Sequence, residues 1–381
     1  MSAESWVSSA DRALFRALAE VKLIRAVTPV NADEEVARLC RAFERGAPAP
    51  PCFRYESPPL QPELANALER VAAFLEGLSP LGNVYAERAR ELLLEALLIQ
   101  AVGSPKLTSL ARQRFLGQSD DDRRDRADAD ALADDWIASS GYEDDVDEED
   151  LVESCNASDP GSLISVMSRE VGRHRLPMQV VVQPGLASLA ATAEGALLVA
   201  KGRWIRRCDV ARTVLHEIEG HALPRRRAAS APIGIFGLGT ARGMDDQEGR
   251  ALLLEEEAGF FDALRKRELG MRHLAARAAL DGASFVDVVA LLRSRGAAVR
   301  TAVRIALRVA RGATGEGGLG REVVYLTARV RVARARRSEL GNVIEGVMAR
   351  GRVAANVAPA LAAFVPQSPF DRGEVDVDLA S

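Results

Sequence analysis

The chain has 381 residues, of which 48% are hydrophobic and 27% charged, and its formal net charge is −4. This length and composition suit a globular protein of one large or two ordinary domains. The slightly acidic charge argues against nucleic acid as the main partner, and no apolar run reaches the roughly 18 residues that a membrane span needs. We therefore expect neither a nucleic-acid nor a membrane partner.

The first 118 residues are predicted to form a mostly helical region. Residues 9–27 have apolar residues at helical spacing, and Thr28-Pro29 ends that helix because a residue before proline disfavours helical backbone. Asn31 is expected to cap a second helix that continues to about Phe43. The proline-rich residues 46–60 indicate an extended connection. Two further helices are predicted, at 62–78 and 85–102.

An acidic segment follows, at 119–155. Dense like charge with few apolar residues is typical of a solvated linker, insert or exposed helix. A calcium site is the alternative, although the spacing lacks the glycine and terminal glutamate of an EF-hand loop.

The region 156–364 is expected to carry the function, and 365–381 to be a mobile tail. A short helix is predicted at 163–173, and compact apolar runs at 178–182 and 196–200 indicate two strands. A helix is predicted to follow, with Asp209 as its N-cap and Pro224 at its end.

The segment His216-Glu217-Ile218-Glu219-Gly220-His221 reads H-E-x-x-x-H. Neutral imidazoles bind zinc, and a neighbouring carboxylate can take a proton from metal-bound water. On a regular α-helix, positions i and i+5 point about 140° apart, so a shared metal requires a π-type or irregular turn. Gly220 would ease that distortion. The alternative is an amphipathic helix with two unrelated histidines.

A zinc site also needs a third protein ligand. Glu248, near the start of a long predicted helix, is the best candidate. Glu255 lies on the same helix face and could support the site or serve as the ligand instead. The two remaining histidines, His174 and His273, are expected to be surface or packing residues. The four cysteines show no C-x-x-C spacing, which suits free thiols in a reducing compartment. Since the N-terminus also lacks a signal-peptide pattern, we expect a cytoplasmic protein.

Several motifs, in this order, resemble segments of the microtubule-associated tyrosine carboxypeptidase family, whose bacterial relatives carry a QEGLA motif. They are the H-E-x-x-x-H motif itself, Thr28-Pro29-Val30-Asn31, Pro51-Cys52-Phe53-Arg54-Tyr55, Gln247-Glu248-Gly249, Arg308-Val309-Ala310-Arg311-Gly312 and Tyr325-Leu326. The resemblance implies one zinc ion held by His216, His221 and Glu248, with Glu217 as the catalytic base. The chain departs from the family pattern at Arg250, where leucine is usual, and at Ala328. Arg250 could therefore lie near the pocket and alter substrate preference.

The expected fold is α+β: a mostly helical, zincin-like zinc peptidase with a small β-sheet beside the metal-binding helix. The expected function is a zinc-dependent carboxypeptidase acting on the C-terminus of a peptide or protein. Tyr325 is the candidate donor to the oxyanion. For the terminal carboxylate the resemblance favours Arg308 and Arg311, because arginine offers a two-point fork. The resemblance also implies an aromatic last residue, and a peptide precursor in natural-product maturation is one plausible substrate.

Three other functions remain open at this point. A zinc endopeptidase would need no carboxylate-binding arginine. A non-catalytic regulatory protein on a zinc-peptidase scaffold would have no need of Glu217. A purely structural zinc site would be closed by four protein ligands, whereas three ligands leave one position open.

Overall fold

The computed structural model describes residues 5–56, 60–61, 63–139, 150–186 and 188–365. In the first 139 residues it has seven helices: α1 (Val7–Glu20), α2 (Leu23–Val27), α3 (Ala32–Glu44), α4 (Glu63–Leu75), α5 (Pro80–Gln100), α6 (Lys106–Leu116) and α7 (Asp120–Ser139). The helical N-terminal region is thus confirmed. The single helix expected at 9–27 is two helices, since the backbone leaves helical geometry at Val21 and Lys22.

The following part of the chain contains all five strands among the described residues. They are β1 (Leu151–Glu153), then, after helix α8 (Leu163–Arg173), β2 (Gln179–Gln183), β3 (Ala190–Thr192), β4 (Ala196–Ala200) and β5 (Trp204–Arg206). The order in the three-stranded sheet is β2-β4-β3, with β2 parallel and β3 antiparallel to β4, whereas β1 and β5 form a separate antiparallel pair. Only β2 and β4 were predicted, because the other strands have three residues each.

The rest of the described chain is helical. Its helices are α9 (Arg207–Leu215), a π-helix (His216–Ala222), α10 (Leu223–Ala228), α11 (Ile235–Leu238), α12 (Gly243–Glu257), α13 (Ala263–Leu280), α14 (Phe285–Ser294), α15 (Val299–Val309), α16 (Val323–Arg336), α17 (Gly341–Met348) and α18 (Ala358–Leu361), followed by a 3₁₀ turn (Ala362–Phe364). The mostly helical α+β fold is confirmed. No helix within the described ranges is long and apolar enough to cross a lipid bilayer.

Besides a small apolar cluster of α7, α12, α13 and α16 that includes Trp136, the described residues form two larger apolar cores. The larger contains residues of helices α1–α6 together with residues of α13–α18, so the N-terminal helices pack onto the C-terminal ones. The smaller lies between the sheet, α8, α9 and the π-helix, and includes Leu197, Val199, Val214 and Ile218. This second core fixes the π-helix against the sheet. The domain limits expected from the sequence stay predictions, and the expected C-terminal tail falls beyond Val365, outside the described residues.

The described part of the acidic segment is a helix, as one of the expected alternatives had it, but it packs on the core and is not a solvated linker. Residues 120–139 form α7, which packs on α13 and α16 and buries Ala129, Ala133 and Trp136. Its acids face basic partners from distant segments: Asp122 pairs with Arg242, and Asp125 with Arg334 at 2.8 Å. The run of aspartates thus folds as a helix with one buried face, on which Asp122 and Asp125 are matched by arginines, while Asp120 and Asp121 remain exposed. The acids at 143–149 lie outside the described residues, and the described acids of α7 form no metal-binding group.

Three local expectations were wrong. Asn31 stands at the N-cap position of α3 but makes no capping hydrogen bond, because its amide donates to Cys52 O and accepts from Arg54 N. Asp209 lies inside α9 instead of capping it, since its carboxylate binds Arg206. Pro224 does not end the helix, which continues as α10 to Ala228.

Candidate metal centre

Helix α9, the π-helix and α10 form one continuous helical segment that carries the H-E-x-x-x-H motif. Within it Leu223 donates its N–H to the carbonyl of Ile218, five residues back. This widened turn places His221 beside His216, with their Nε2 atoms 3.2 Å apart. The prediction of a π-type turn is confirmed, and its physical reason is the five-residue spacing of the two imidazoles.

Gly220 serves this turn in a different way from the one expected. Its backbone is part of the right-handed π-helix and does not adopt a positive φ. A Cβ at this position would lie 2.6 Å from the Cβ of Ala251 on α12. The glycine is therefore required because α12 approaches the π-helix so closely.

Helix α12 brings Glu248 to the two histidines. Its Oε2 lies 3.4 Å from Nε2 of His216 and 3.6 Å from Nε2 of His221. Together the three residues form the group in the described part of the chain that could hold a metal ion. Gly249 permits the packing of α12 on α16, since a Cβ there would lie 2.4 Å from the carbonyl carbon of Ala328.

The spacing of these three ligand atoms suits one metal ion. Donors at about 2.0–2.2 Å from a tetrahedral zinc lie about 3.3–3.6 Å from one another, and the observed distances are 3.2, 3.4 and 3.6 Å. Burial alone would lower the pKa of His216. Its contacts with Glu248 and Glu255 outweigh that effect and raise the pKa to about 10. The surroundings of this imidazole thus favour positive charge, which a bound cation would supply.

Glu255 holds His216 from its other side. Its Oε1 lies 2.6 Å from Nδ1 of His216, and both of its oxygens accept hydrogen bonds from Arg265 at 3.0 Å. The side chain is almost fully buried, and although burial raises its pKa, Arg265 and His216 bring it down to about 2. Glu255 is therefore a carboxylate that orients the imidazole and leaves Nε2 for a metal, a common arrangement around ligating histidines.

Gln247 holds the second histidine in the same way. Its Oε1 lies 3.0 Å from Nδ1 of His221. An amide oxygen can only accept, so Nδ1 of His221 carries the proton and Nε2 presents its lone pair. The sequence signal for Gln247 was its position directly before Glu248, but its contact with His221 was not foreseen.

Glu217 is fixed by strand β3, at the edge of the three-stranded sheet. Thr192 Oγ1 donates a hydrogen bond to Oε2 of Glu217 at 2.7 Å. The glutamate is buried, with 6% of its surface exposed, and its charge raises the pKa of the neighbouring His216. Thr192 was not identified from the sequence, because a three-residue strand leaves too short a pattern to recognise.

Arg321 and Tyr325 lie on the other side of Glu248. Arg321 donates to Oε1 of Glu248 at 3.2 Å, so the oxygen that does not face the histidines is also occupied. The Tyr325 ring packs against Arg272, whose guanidinium carbon is 4.5 Å from the ring centroid. Burial and the charge of Glu248 raise the pKa of Tyr325, which keeps the phenol protonated.

The two candidate arginines for a terminal carboxylate have different surroundings. Arg308 donates to Oε1 of Glu322 through Nε and Nη2, both at 3.1 Å. Arg311 is 8% exposed, and its side chain makes no hydrogen bond or ion pair with any residue that the structure describes. Burial and the nearby charge of Arg308 lower the pKa of Arg311 to about 10, and Glu322, Arg321 and Tyr325 also act on it electrostatically. It is a buried cation near Glu322 and Arg321 that has no direct ion pair or side-chain hydrogen bond among the described residues.

The other histidines and Arg250 do not belong to the His-His-Glu group. His273 is buried with Nε2 2.7 Å from Asp130, and His174 caps the end of α8. Arg250 donates to the backbone carbonyl of Glu219 and pairs with Glu345, so it is committed to the π-helix backbone.

A mostly helical fold with a small sheet, a π-helix and a His-His-Glu group defines a candidate metal centre of the peptidase kind. Comparison with family models makes the class specific: the model of the microtubule-associated tyrosine carboxypeptidase family matches residues 41–367. The chain belongs to this family of carboxypeptidases. Among curated proteins none matches it significantly.

Proposed function

We propose that the chain is a zinc-dependent carboxypeptidase, which hydrolyses the last peptide bond of a peptide or protein. The observation that carries the proposal is the group of His216, His221 and Glu248, with ligand atoms 3.2–3.6 Å apart and with Glu217 as the neighbouring residue on the same helix. Membership of a carboxypeptidase family supports the reaction class.

One zinc ion would be held by Nε2 of His216, Nε2 of His221 and Oε2 of Glu248. Two imidazoles and one carboxylate are a known catalytic zinc set, and three protein ligands leave one position for water or substrate. When bound, zinc lowers the pKa of a coordinated water towards about 7 and polarises a carbonyl group. The contacts of Nδ1 with Glu255 and Gln247 orient both imidazoles for this role.

Glu217 is the proposed general base and acid. Its carboxylate accepts the proton of the attacking water and afterwards delivers it to the leaving amine. Thr192 donates to one carboxylate oxygen at 2.7 Å, so the other oxygen is left to receive the proton. Burial of Glu217 keeps bulk water from competing for it.

Tyr325 and Arg321 supply the proposed stabilisation of negative charge. The raised pKa of Tyr325 makes its hydroxyl a hydrogen-bond donor to the oxyanion that develops on the substrate carbonyl. Arg321 lies 6.0 Å from the Tyr325 ring centroid and binds Glu248, which places one cation between the tyrosine and the ligand group.

Arg311 supports the assignment as an exopeptidase. A buried guanidinium with no partner among the described residues is costly, and an incoming carboxylate would remove that cost with two charge-assisted hydrogen bonds. Arg308 is bound to Glu322 and so contributes mainly positive potential. We therefore favour Arg311 as the direct contact with the C-terminal carboxylate. The preference for an aromatic last residue is proposed from the family description, which names tyrosine.

The proposal is tested with purified protein, a metal assay and a peptide library of free-acid peptides with different last residues. Mass spectrometry after incubation should show the loss of one C-terminal residue, abolished by a chelator and restored by zinc. Internal cleavage would instead identify an endopeptidase. Zinc binding without any cleavage would favour the non-catalytic binding protein.

A further inference from the structure

The hydrogen-bond ladder of the π-helix is interrupted at one position. In a π-helix each N–H donates to the carbonyl five residues back, as Leu223 does to Ile218. The next donor along the chain would be residue 224, and the next acceptor the carbonyl of Glu219. Residue 224 is proline, which has no N–H. The chain therefore needs another donor for a carbonyl that lies between the two histidines.

Arg250 provides that donor from the neighbouring helix. Its Nη1 lies 3.0 Å from the carbonyl oxygen of Glu219. The guanidinium is fixed by Glu345, whose Oε1 accepts from Nε at 2.8 Å and from Nη2 at 2.7 Å. Arg250 is 5% exposed, so this is an enclosed contact and not a surface ion pair.

The position of Arg250 in the sequence gives the contact a consequence for the metal centre. Arg250 follows Glu248 by two residues on α12, and Glu219 lies between His216 and His221 on the π-helix. One hydrogen bond thus ties the backbone that carries the third ligand to the backbone that carries the first two. Gly220, which lies against Ala251, allows the two backbones to come close enough.

We propose that Arg250 is a positioning residue for the metal centre: it replaces the missing N–H of Pro224 and holds the π-turn that sets the distance between the two histidines. The inference rests on the proposed metal site and not on the identity of the substrate.

A purely structural role for Arg250 would lower the stability of the protein without changing how the metal is bound. The two roles are separated with Arg250→Leu by measuring zinc affinity in competition with a chromogenic chelator and the absorption spectrum of the Co²⁺ form. Partners that orient metal ligands typically contribute roughly 10–100-fold in affinity, and we expect a loss in that range together with a changed Co²⁺ spectrum. Thermal unfolding of the metal-free protein is recorded beside them.

A matched control is Arg267→Leu. Arg267 is also a buried arginine and donates to a backbone carbonyl, that of Ile137, at 3.0 Å, away from the ligand group. This variant should lower the unfolding temperature and keep the zinc affinity and Co²⁺ spectrum of the wild type.

The decisive variant adds Pro224→Ala to Arg250→Leu. Alanine restores an N–H that can donate to Glu219, so the double variant should regain most of the zinc affinity lost by the single one. If Arg250→Leu is too unstable to purify, Glu345→Gln, which loosens the guanidinium, should show a smaller loss in the same direction.

Wild-type zinc affinity in Arg250→Leu, or a loss that Arg267→Leu shares and Pro224→Ala does not reverse, would overturn the inference. A wild-type protein that binds no metal would instead overturn the proposed function.

Discussion

Glu255 and His216 are joined by a 2.6 Å contact between a carboxylate oxygen and Nδ1. Nε2 of the same ring faces Glu248 at 3.4 Å, and because an ionised carboxylate only accepts, the contact with Glu255 favours a proton on Nδ1. The two glutamates that the sequence left as alternatives are thereby separated: Glu248 faces Nε2, where His221 also lies, whereas Glu255 faces Nδ1 on the opposite side of the ring.

The metal content of variants should differ between the three proposed ligands and Glu255, which only orients His216. His216→Ala, His221→Ala and Glu248→Ala each remove a ligand and should lose nearly all bound zinc after dialysis against a weak chelator. Glu255→Gln should weaken zinc binding by roughly 10–100-fold without abolishing it. Glu257→Gln, on the same helix but half-exposed and paired with Arg336, is the control and should retain wild-type zinc. Full zinc in Glu248→Ala would show that the third ligand is another residue.

Variants of Glu217 and of its partner Thr192 should lower the rate of hydrolysis without lowering zinc affinity. Glu217→Gln should keep the fold and the zinc but lose hydrolysis by about two to four orders of magnitude, the usual contribution of a general base. Thr192→Val removes the hydrogen bond that orients the base and should lower kcat by a smaller factor, with zinc affinity unchanged. Steady-state kinetics on zinc-loaded protein measures both. Normal turnover by Glu217→Gln would contradict the mechanism.

A larger residue at Gly220 should clash with α12, and a smaller residue at position 251 should relieve the clash. Gly220→Ala places a Cβ 2.6 Å from that of Ala251, and such overpacking costs about 1–3 kcal/mol. We expect a lower unfolding temperature and weaker zinc binding, since α12 and the π-helix are pushed apart. The double variant with Ala251→Gly should recover both. If the second change restores nothing, the glycine serves another purpose.

The packing of α7 predicts that its Trp136 contributes more to stability than the exposed Trp204 of β5 does. Trp136 is 5% exposed and packs edge-on against Phe261 at 5.5 Å, whereas Trp204 is 67% exposed. Trp136→Ala should lower the free energy of unfolding by about 3–5 kcal/mol, and Trp204→Ala by no more than about 0.5 kcal/mol. Denaturant unfolding measures both. Equal, small effects would mean that the acidic helix is not part of the folded core.

The sequence predicted the features that short-range geometry determines. Two histidines five residues apart cannot share a metal on a regular α-helix, and the π-helix follows from that one constraint. Glu248 was found because a carboxylate near the start of a long helix suits a third ligand. The resemblance of several short motifs predicted the family, and the family model that matches residues 41–367 confirms it.

The features that were missed depend on residues far apart in the chain. Asp125 looked solvated because its partner Arg334 lies 209 residues away, and a charge run cannot reveal a distant counter-charge. Thr192 and Arg321 reach the site only through the packing of β3 and α16. In a chain so rich in arginine, nothing local distinguishes Arg311, which has no side-chain partner in the described part of the chain, from its solvated or paired neighbours.

The most direct test of the central claim compares one peptide as a free acid and as a C-terminal amide, with zinc-loaded wild-type protein. Amidation removes the charge that Arg311 is proposed to bind, and charge-assisted hydrogen bonds contribute roughly 1.5–3 kcal/mol each. We expect the acid to lose its last residue about ten- to a hundredfold or more faster than the amide, and Arg311→Ala to narrow this difference more than Arg308→Ala does. Equal cleavage of acid and amide by the wild-type protein would contradict the assignment as a carboxypeptidase.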